Sequence, residues 1–180
     1  GSLTVSSSPH VLDHTNTSRI MLDVIIALVP AFIMSGVIFG PRAILLTITC
    51  VVSCVVFEWA FEKVTRKENT ISDLSAVVTG ILLSFNLPAT LPYWMAVVGC
   101  FVAIAIVKQL FGGIGQNFAN PAFTARIVLL ISFATPMTTW PLPKQILEAS
   151  DAVTGATPLG IMSMGGDPAT LPSNIDMFLG

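Results

Sequence analysis

The sequence predicts an all-α polytopic membrane protein with about five transmembrane helices. Only 10% of the 180 residues are charged and 53% are hydrophobic, whereas a soluble domain carries about 25% charged residues. No charged residue occurs between Leu74 and Val107, a stretch well beyond the ~20 residues that one membrane-spanning helix needs. Proline, glycine and charged connectors divide the apolar stretches, as expected between successive membrane crossings.

Five apolar segments follow one another along the chain. Gly40-Pro41 closes the first, and the charged connector 62–68 follows the second. The third segment is short, because Asn86-Leu-Pro-Ala-Thr-Leu-Pro92 breaks the long charge-free stretch into two. The fifth opens with Asn120-Pro121, a helix N-cap followed by proline at the first helical position. The segments cover 22–39, 43–61, 74–85, 93–107 and about 121–135.

The distribution of basic residues predicts the orientation of these segments. With the N-terminus in the cytoplasm, the cytoplasmic side carries five basic residues and the outer side two, which satisfies the positive-inside bias. The predicted organisation is a cytoplasmic lead-in over 1–19, a transmembrane helical region over 20–135 and an extracytoplasmic segment over 136–180. The inner residues are Arg19, Lys63, Arg66, Lys67 and Lys108, and the outer ones are Arg42 and Lys144.

Composition excludes several other classes of protein. A net charge of −2 gives no basic surface for nucleic acid. Cys50, Cys54 and Cys100 lie within apolar runs; an odd count without paired spacing predicts neither a disulfide framework nor a zinc site, so they are interpreted as buried packing residues. The polar lead-in has no apolar core of a secretory signal. Neither a metal site nor a catalytic residue is predicted.

The charged residues in or near the apolar segments admit two interpretations. Ionisable groups inside membranes are costly and often mark an ion path. Most of these residues lie close to a predicted segment end, where a long side chain reaches the interface, so interfacial placement is the default interpretation. Arg126 is the deepest of them. The set comprises Asp23, Glu58, Asp73, Lys108 and Arg126.

The segment after Trp140 contains Asp151-Ala-Val-Thr-Gly-Ala-Thr157 followed by Pro158. Asp-x-x-[Ser/Thr]-Gly-Ala-[Ser/Thr] resembles the recognition motif of flavin transferases, which move FMN from FAD onto a hydroxyl as a phosphoester. The resemblance makes Thr157 the acceptor and Asp151, Thr154, Gly155 and Ala156 its recognition frame. Proline after the acceptor favours an extended, accessible backbone. The alternative is an ordinary loop rich in glycine, threonine and proline.

Several further stretches resemble one family over essentially the whole chain: the D subunits of Rnf complexes, with the B subunit of the Na⁺-pumping NADH:quinone oxidoreductase as a close relative. Members have about twice this length and ten spans, so the chain is interpreted as an N-terminal half, and repeating five spans inverts their topology. The stretches are Ser8-Pro-His10, Thr17-Ser-Arg-Ile-Met21, Ala76-Val-Val-Thr-Gly-Ile-Leu-Leu83, Gly112-Gly-Ile-Gly115 and Asn117-Phe-Ala-Asn-Pro-Ala122.

The resemblance implies a membrane subunit of an ion-pumping ferredoxin:NAD oxidoreductase, which carries electrons through covalent FMN on Thr157 and is coupled to Na⁺ or H⁺ translocation. It implies a second, non-covalent flavin (riboflavin) at an Asn-x-x-Asn pair, matched here by Asn117 and Asn120, with Arg126 placed to stabilise a reduced ring. Capping and a tight glycine turn are the alternative roles of this region. The implied partners are the other Rnf subunits, a flavin transferase and the lipid bilayer.

The implied location is the bacterial or archaeal cytoplasmic membrane, with the flavin motif outside. The chain is expected to act as a subunit of an oxidoreductase and not as an enzyme alone, since the sequence has neither a dinucleotide-binding glycine fingerprint nor an iron–sulfur cysteine set. Three alternatives stay open: a subunit of the quinone-reducing relative, a flavin-free channel or solute transporter on the same scaffold, and a purely structural anchor.

Overall fold

The computed structural model describes residues 16–66, 71–113, 115–117, 119–141, 154–155, 158–165 and 173. Within these ranges the chain is mostly helical, with one pair of two-residue strands. The helices are α1 (Thr17–Phe39), α2 (Pro41–Thr65), α3 (Ser75–Phe85), α4 (Tyr93–Phe101), α5 (Pro121–Ser132), α6 (Ala134–Thr138) and α7 (Pro158–Ser163). A 3₁₀ turn covers Ile71–Asp73, a π-helix over Val102–Gln109 continues α4, and the strands are β1 (Trp140–Pro141) and β2 (Thr154–Gly155).

The predicted helical, apolar architecture is confirmed at this coarse level. α1 and α2 are long and apolar enough to cross a membrane, and the helices over Ser75–Phe85, Tyr93–Gln109 and Pro121–Ser132 are apolar but shorter. Each predicted segment therefore contains a helix. The number of membrane crossings and the inverted-repeat fold stay predictions, as do the boundaries 1–19, 20–135 and 136–180.

α1 and α2 meet at Gly40, whose positive φ of 81° lets the chain turn directly into Pro41 at the start of α2. Both helices are longer than the apolar pattern predicts. α1 begins at Thr17, and Ser18 Oγ donates a hydrogen bond to the Ser72 carbonyl at 3.0 Å. α2 continues through the charged connector to Thr65, because the residues after Phe61 include good helix formers.

α2 is the centre of the packing, and its most extensive contacts are with α3 and α4. α3 approaches α2 closely at Gly80, where an added Cβ would lie 2.8 Å from the Val51 Cα. α1 contributes no buried residue and packs on the outside of α2. The buried core includes Leu46, Cys50, Cys54, Leu83, Leu91, Ala96, Cys100, Ile104, Ala125 and Leu129.

One end of the bundle, here called the Gly40 end, consists of the last turn of α1, the first turn of α2, the end of α3, the start of α4, and β1. Hydrogen bonds connect these pieces: Arg42 Nη2 donates to the Thr90 carbonyl at 2.9 Å, and Thr90 Oγ1 to the Thr139 carbonyl at 3.2 Å. Near this end the predicted fifth segment is interrupted, since Phe133 leaves the helical region with φ −135° and ψ 56°. α5 thus ends at Ser132 and the short α6 follows.

Candidate functional site

The predicted flavin motif lies partly within the described residues. Thr154 and Gly155 form β2, whereas Asp151, Ala156 and Thr157 lie outside the described part of the chain. The acceptor assignment to Thr157 therefore stays a prediction from the motif. In sequence, the predicted acceptor lies between β2 and α7.

β2 pairs antiparallel with β1, so that Trp140 is opposite Gly155 and Pro141 is opposite Thr154. Because β1 follows α6 at the Gly40 end, this pairing brings part of the motif back to that end of the bundle. α7 begins at Pro158, immediately after the motif. Proline suits the first position of a helix because its missing N–H has no partner there anyway.

Asn120 caps α5, as the Asn-Pro sequence predicts. Its Oδ1 accepts hydrogen bonds from the backbone N–H groups of Ala122 and Phe123, at 3.0 and 3.4 Å. These two contacts satisfy N–H groups that have no partner within the helix. The capping interpretation of Asn120 is thus borne out, and its proposed flavin contact stays a prediction.

Asn117 closes the turn that follows the π-helix. With its amide oriented so that the nitrogen faces the carbonyls, that nitrogen donates to the backbone oxygens of Val107, Lys108 and Gly113 at 3.2, 3.3 and 3.0 Å. Gly112 adopts a φ of 111°, and a Cβ there would overlap the Gln116 side chain. The glycine-rich stretch is therefore a tight turn, and the Asn117 amide holds it to the end of the π-helix.

Arg126 lies on α5 and is half-buried. Its Nη1 donates a hydrogen bond to Asn86 Oδ1 at 3.0 Å, and Asn86 in turn donates to the Leu82 carbonyl at 2.7 Å. The arginine thus joins α5 to the end of α3. Among the described contacts, no hydrogen bond joins Asn117, Asn120 and Arg126 to one another, so their grouping around a second flavin stays a prediction.

A buried polar cluster joins α2 to the end of the π-helix. Lys108 Nζ contacts Glu58 Oε1 and donates to Ser75 Oγ, while Gln109 Nε2 donates to Glu58 Oε1 at 3.0 Å. Ser75 donates its own hydroxyl proton to a carboxylate oxygen of Asp73. Glu58 is 0% exposed and Lys108 2% exposed, so the two charges neutralise each other away from solvent.

This cluster corrects the interfacial interpretation of Glu58 and Lys108. Both residues lie near segment ends in the sequence, but neither reaches the surface. The opposite charges of the two residues are the sequence signal that could have identified the pair. One acid in the second segment and one base at the end of the fourth lie near the same predicted face, and opposite charges at one depth favour pairing.

The three cysteines are free and buried, as predicted for packing residues. The Cys100 thiol lies 3.5 Å from the Cys50 carbonyl, which it contacts as a weak donor. Together with Cys54 they belong to the core where α4 crosses α2. Their surroundings are apolar, so they form part of the scaffold that positions the polar cluster.

Comparison with known proteins identifies the family of this chain. The model of the NQR2, RnfD, RnfE family matches residues 4–180. The chain is 48% identical to the D subunit of the Na⁺-translocating ferredoxin:NAD⁺ oxidoreductase complex of Acetobacterium woodii, over 99% of this chain and 54% of that protein. It is 46% identical to the D subunit of the proton-translocating ferredoxin:NAD⁺ oxidoreductase complex of Clostridium ljungdahlii, over 91% of this chain and 49% of the relative.

Other bacteria carry less similar relatives. The D subunit of the ion-translocating oxidoreductase complex of Klebsiella pneumoniae is 37% identical over 96% of this chain and 51% of its own length. The chain thus spans about half the length of the relatives it matches. The apolar helices and these matches agree in describing a multi-pass membrane protein. By the extent of the family match and by these identities, the chain belongs to the NQR2, RnfD, RnfE family.

Proposed function

We propose that this chain is part of the membrane-embedded D subunit of an ion-translocating ferredoxin:NAD⁺ oxidoreductase, and that it carries electrons through FMN bound covalently to Thr157. The names of the relatives support the complex. They favour ferredoxin and NAD⁺ over a quinone as the reactants. One relative is named for Na⁺ and another for protons, so the proposal covers either coupling ion.

The observation that carries the flavin proposal is the pairing of Thr154–Gly155 with Trp140–Pro141. It brings Thr154 and Gly155 to the Gly40 end of the bundle, which the basic-residue distribution predicts to face the outside of the cytoplasmic membrane. Small residues beside the acceptor suit attachment, because a transferase must bring a phosphate close to the backbone. An apolar wall and an indole at the same end suit a flat aromatic ring.

The chemistry of attachment requires only the side chain of Thr157. Its oxygen forms the bond to the phosphorus of the FMN moiety of FAD, the pyrophosphate bond breaks, AMP leaves and the hydroxyl proton is lost. Bound FMN supplies one- or two-electron transfer. The residues of this chain hold the group and fix its position relative to the bundle. They prevent its loss without altering the redox-active ring.

The test is in-gel fluorescence of the denatured protein, made together with a flavin transferase. Thr157→Ala should abolish covalent flavin, since the phosphoester needs a hydroxyl, and Thr157→Ser should retain part of it. Asp151→Ala should lower attachment without abolishing it. The matched control Thr135→Ala, which changes an exposed threonine of α6 outside the motif, should fluoresce like the wild type.

Two outcomes would contradict the proposal. A fluorescent Thr157→Ala band would move the attachment site to another residue. A wild-type band without fluorescence would remove the covalent flavin altogether and favour a flavin-free channel or transporter on the same scaffold. The second, non-covalent flavin at Asn117, Asn120 and Arg126 is a separate proposal, supported by the family resemblance.

A further inference from the structure

The Gly40 end contains a cavity of about 150 Å³ between α1, α2, α3 and β1. Apolar side chains and the Trp140 indole form most of its wall. The cavity thus lies directly beside the strand that pairs with the flavin motif. Its lining includes Phe39, Ala43, Leu46, Phe85, Ala89 and Trp140.

Three hydroxyl groups also line this cavity, but each donates its proton to its own helix. Ser35 Oγ donates to the Phe32 carbonyl at 2.8 Å, and Thr47 Oγ1 donates to the Ala43 carbonyl at 3.0 Å. Ser84 does the same to a carbonyl one turn earlier in α3. The wall therefore offers no hydroxyl donor to a guest, and a buried polar group without a partner would be penalised there.

In sequence, the predicted attachment point is two residues from a strand that pairs beside this cavity. Gly155 pairs with Trp140, which lines the cavity, and Thr157 is only two residues further along. Two residues span at most about 7 Å, at ~3.3–3.6 Å each. The ribityl phosphate arm of FMN adds further length. A ring tethered to Thr157 is therefore within reach of the cavity, whichever path the two residues follow.

We propose that this cavity receives the dimethylbenzene edge of the isoalloxazine ring of FMN bound to Thr157. The inference rests on the proposed function. An apolar cavity of roughly 150 Å³ accommodates a single benzene ring, which matches this edge and not the whole tricycle. The pyrimidine edge carries an N–H and two carbonyls and fits this mostly apolar wall less well, because the hydroxyl protons there are already donated within their own helices. It stays outside, toward the aqueous or partner-facing side.

Native-state flavin fluorescence tests the position of the ring, because an indole in contact with a flavin quenches its emission by electron transfer. In the protein purified within its complex, Trp140→Leu should raise native fluorescence severalfold. The matched control is Trp94→Leu, since Trp94 lies at the same end of the bundle but packs against Phe133. That control should leave the emission unchanged. Fluorescence after denaturation should be equal in all samples.

A second pair of variants covers the case in which Trp140→Leu does not fold. Ala89→Phe fills the cavity and should raise native fluorescence by displacing the ring from Trp140. Ala134→Phe changes an exposed alanine of α6 and should not. Unchanged emission in Ala89→Phe, with flavin still attached, would overturn the proposal and leave the cavity to a lipid chain. Loss of the denatured-state signal in the wild type would refute the proposed function instead.

The orientation of the ring has its own probe, 8-chloro-FMN, attached by the transferase from 8-chloro-FAD. Its chlorine marks the dimethylbenzene edge and is displaced by thiophenolate, which forms the C–S bond as chloride leaves. We expect slow displacement in the wild type and fast displacement in Ala89→Phe. Displacement in the native wild type as fast as after denaturation would show that this edge faces solvent.

Discussion

At the scale of single residues, the buried contact between Glu58 and Lys108 is the most consequential one in the described structure. A charge without water or a partner is strongly unfavourable in a protein interior. Here each side chain supplies the partner of the other, and Ser75 and Gln109 supply further hydrogen bonds. The two residues lie 50 positions apart in sequence, and their contact joins two helices. It therefore contributes to the register of α2 against the end of the π-helix.

Lys108→Met should strongly destabilise the protein. The substitution leaves the Glu58 carboxylate buried without its cation, and breaking a buried pair in this way costs about 3–5 kcal/mol. Thermal unfolding in detergent micelles measures the effect. Lys63→Met is the control: Lys63 is exposed on the same helix as Glu58, with its ammonium over the face of Trp59, so this variant should melt close to the wild type.

The double variant Glu58→Met/Lys108→Met separates loss of the pair from general damage. Replacing both charges of a buried pair by apolar side chains is often neutral. The double variant should therefore recover most of the stability that the single variant loses. A double variant as unstable as Lys108→Met would contradict the pairing as the cause.

At the scale of elements, the packing of α3 on α2 depends on a glycine. Gly80 lies against the backbone of α2, where an added Cβ would approach the Val51 Cα at 2.8 Å and the Cys50 carbonyl at 3.1 Å. Backbone atoms cannot rotate away as a side chain can. Gly99 on α4 differs, because an added Cβ would meet the side chain of Leu129, at 2.6 Å from Cδ1.

Gly80→Ala should therefore lower the thermal stability more than Gly99→Ala. Overpacking typically costs about 1–3 kcal/mol, and at Gly80 the two helices must separate to relieve it. At Gly99 a rotamer change of Leu129 relieves much of the overlap. Alanine also favours the helix by about 1 kcal/mol in both variants. Equal melting temperatures for the two would show that α3 can shift without cost.

At the scale of the whole molecule, the orientation in the membrane decides which compartment contains the flavin motif. The basic residues of the connector after α2 predict that this end of the bundle is cytoplasmic. The Gly40 end and the motif strand then face the opposite compartment. Arg42 and Lys144 lie on the predicted outer side and count against the positive-inside bias. The predicted orientation therefore depends mainly on the basic cluster 63–67.

Cysteine labelling with a membrane-impermeant maleimide tests this orientation. Val64→Cys, at a site 82% exposed, should be labelled in inside-out vesicles only, and Lys144→Cys in right-side-out vesicles only. The native cysteines are buried and serve as the internal control. The reverse pattern would place the motif in the cytoplasm, where the proposed role of an extracytoplasmic FMN would fail.

The sequence by itself was sufficient for the local features. The position of Asn120 before Pro121 predicts the cap, and the structure forms it. The apolar stretches predict helices, because each signal lies within a few residues of the structure it determines. Their ends were less predictable: α2 extends past Phe61 into charged residues, and α5 ends early at Ser132. Helix ends depend on contacts that hydropathy does not contain.

The flavin motif and the family resemblance could also be identified from the sequence. A transferase recognises a short segment by the order of its residues, which the sequence contains. Tertiary structure decided what lies beside that segment. Only the folded chain pairs Gly155 with Trp140 next to an apolar cavity, and only it buries Glu58 against Lys108. Contacts across 50 residues depend on how helices pack, and side chains far apart in sequence leave no local pattern that predicts which of them meet.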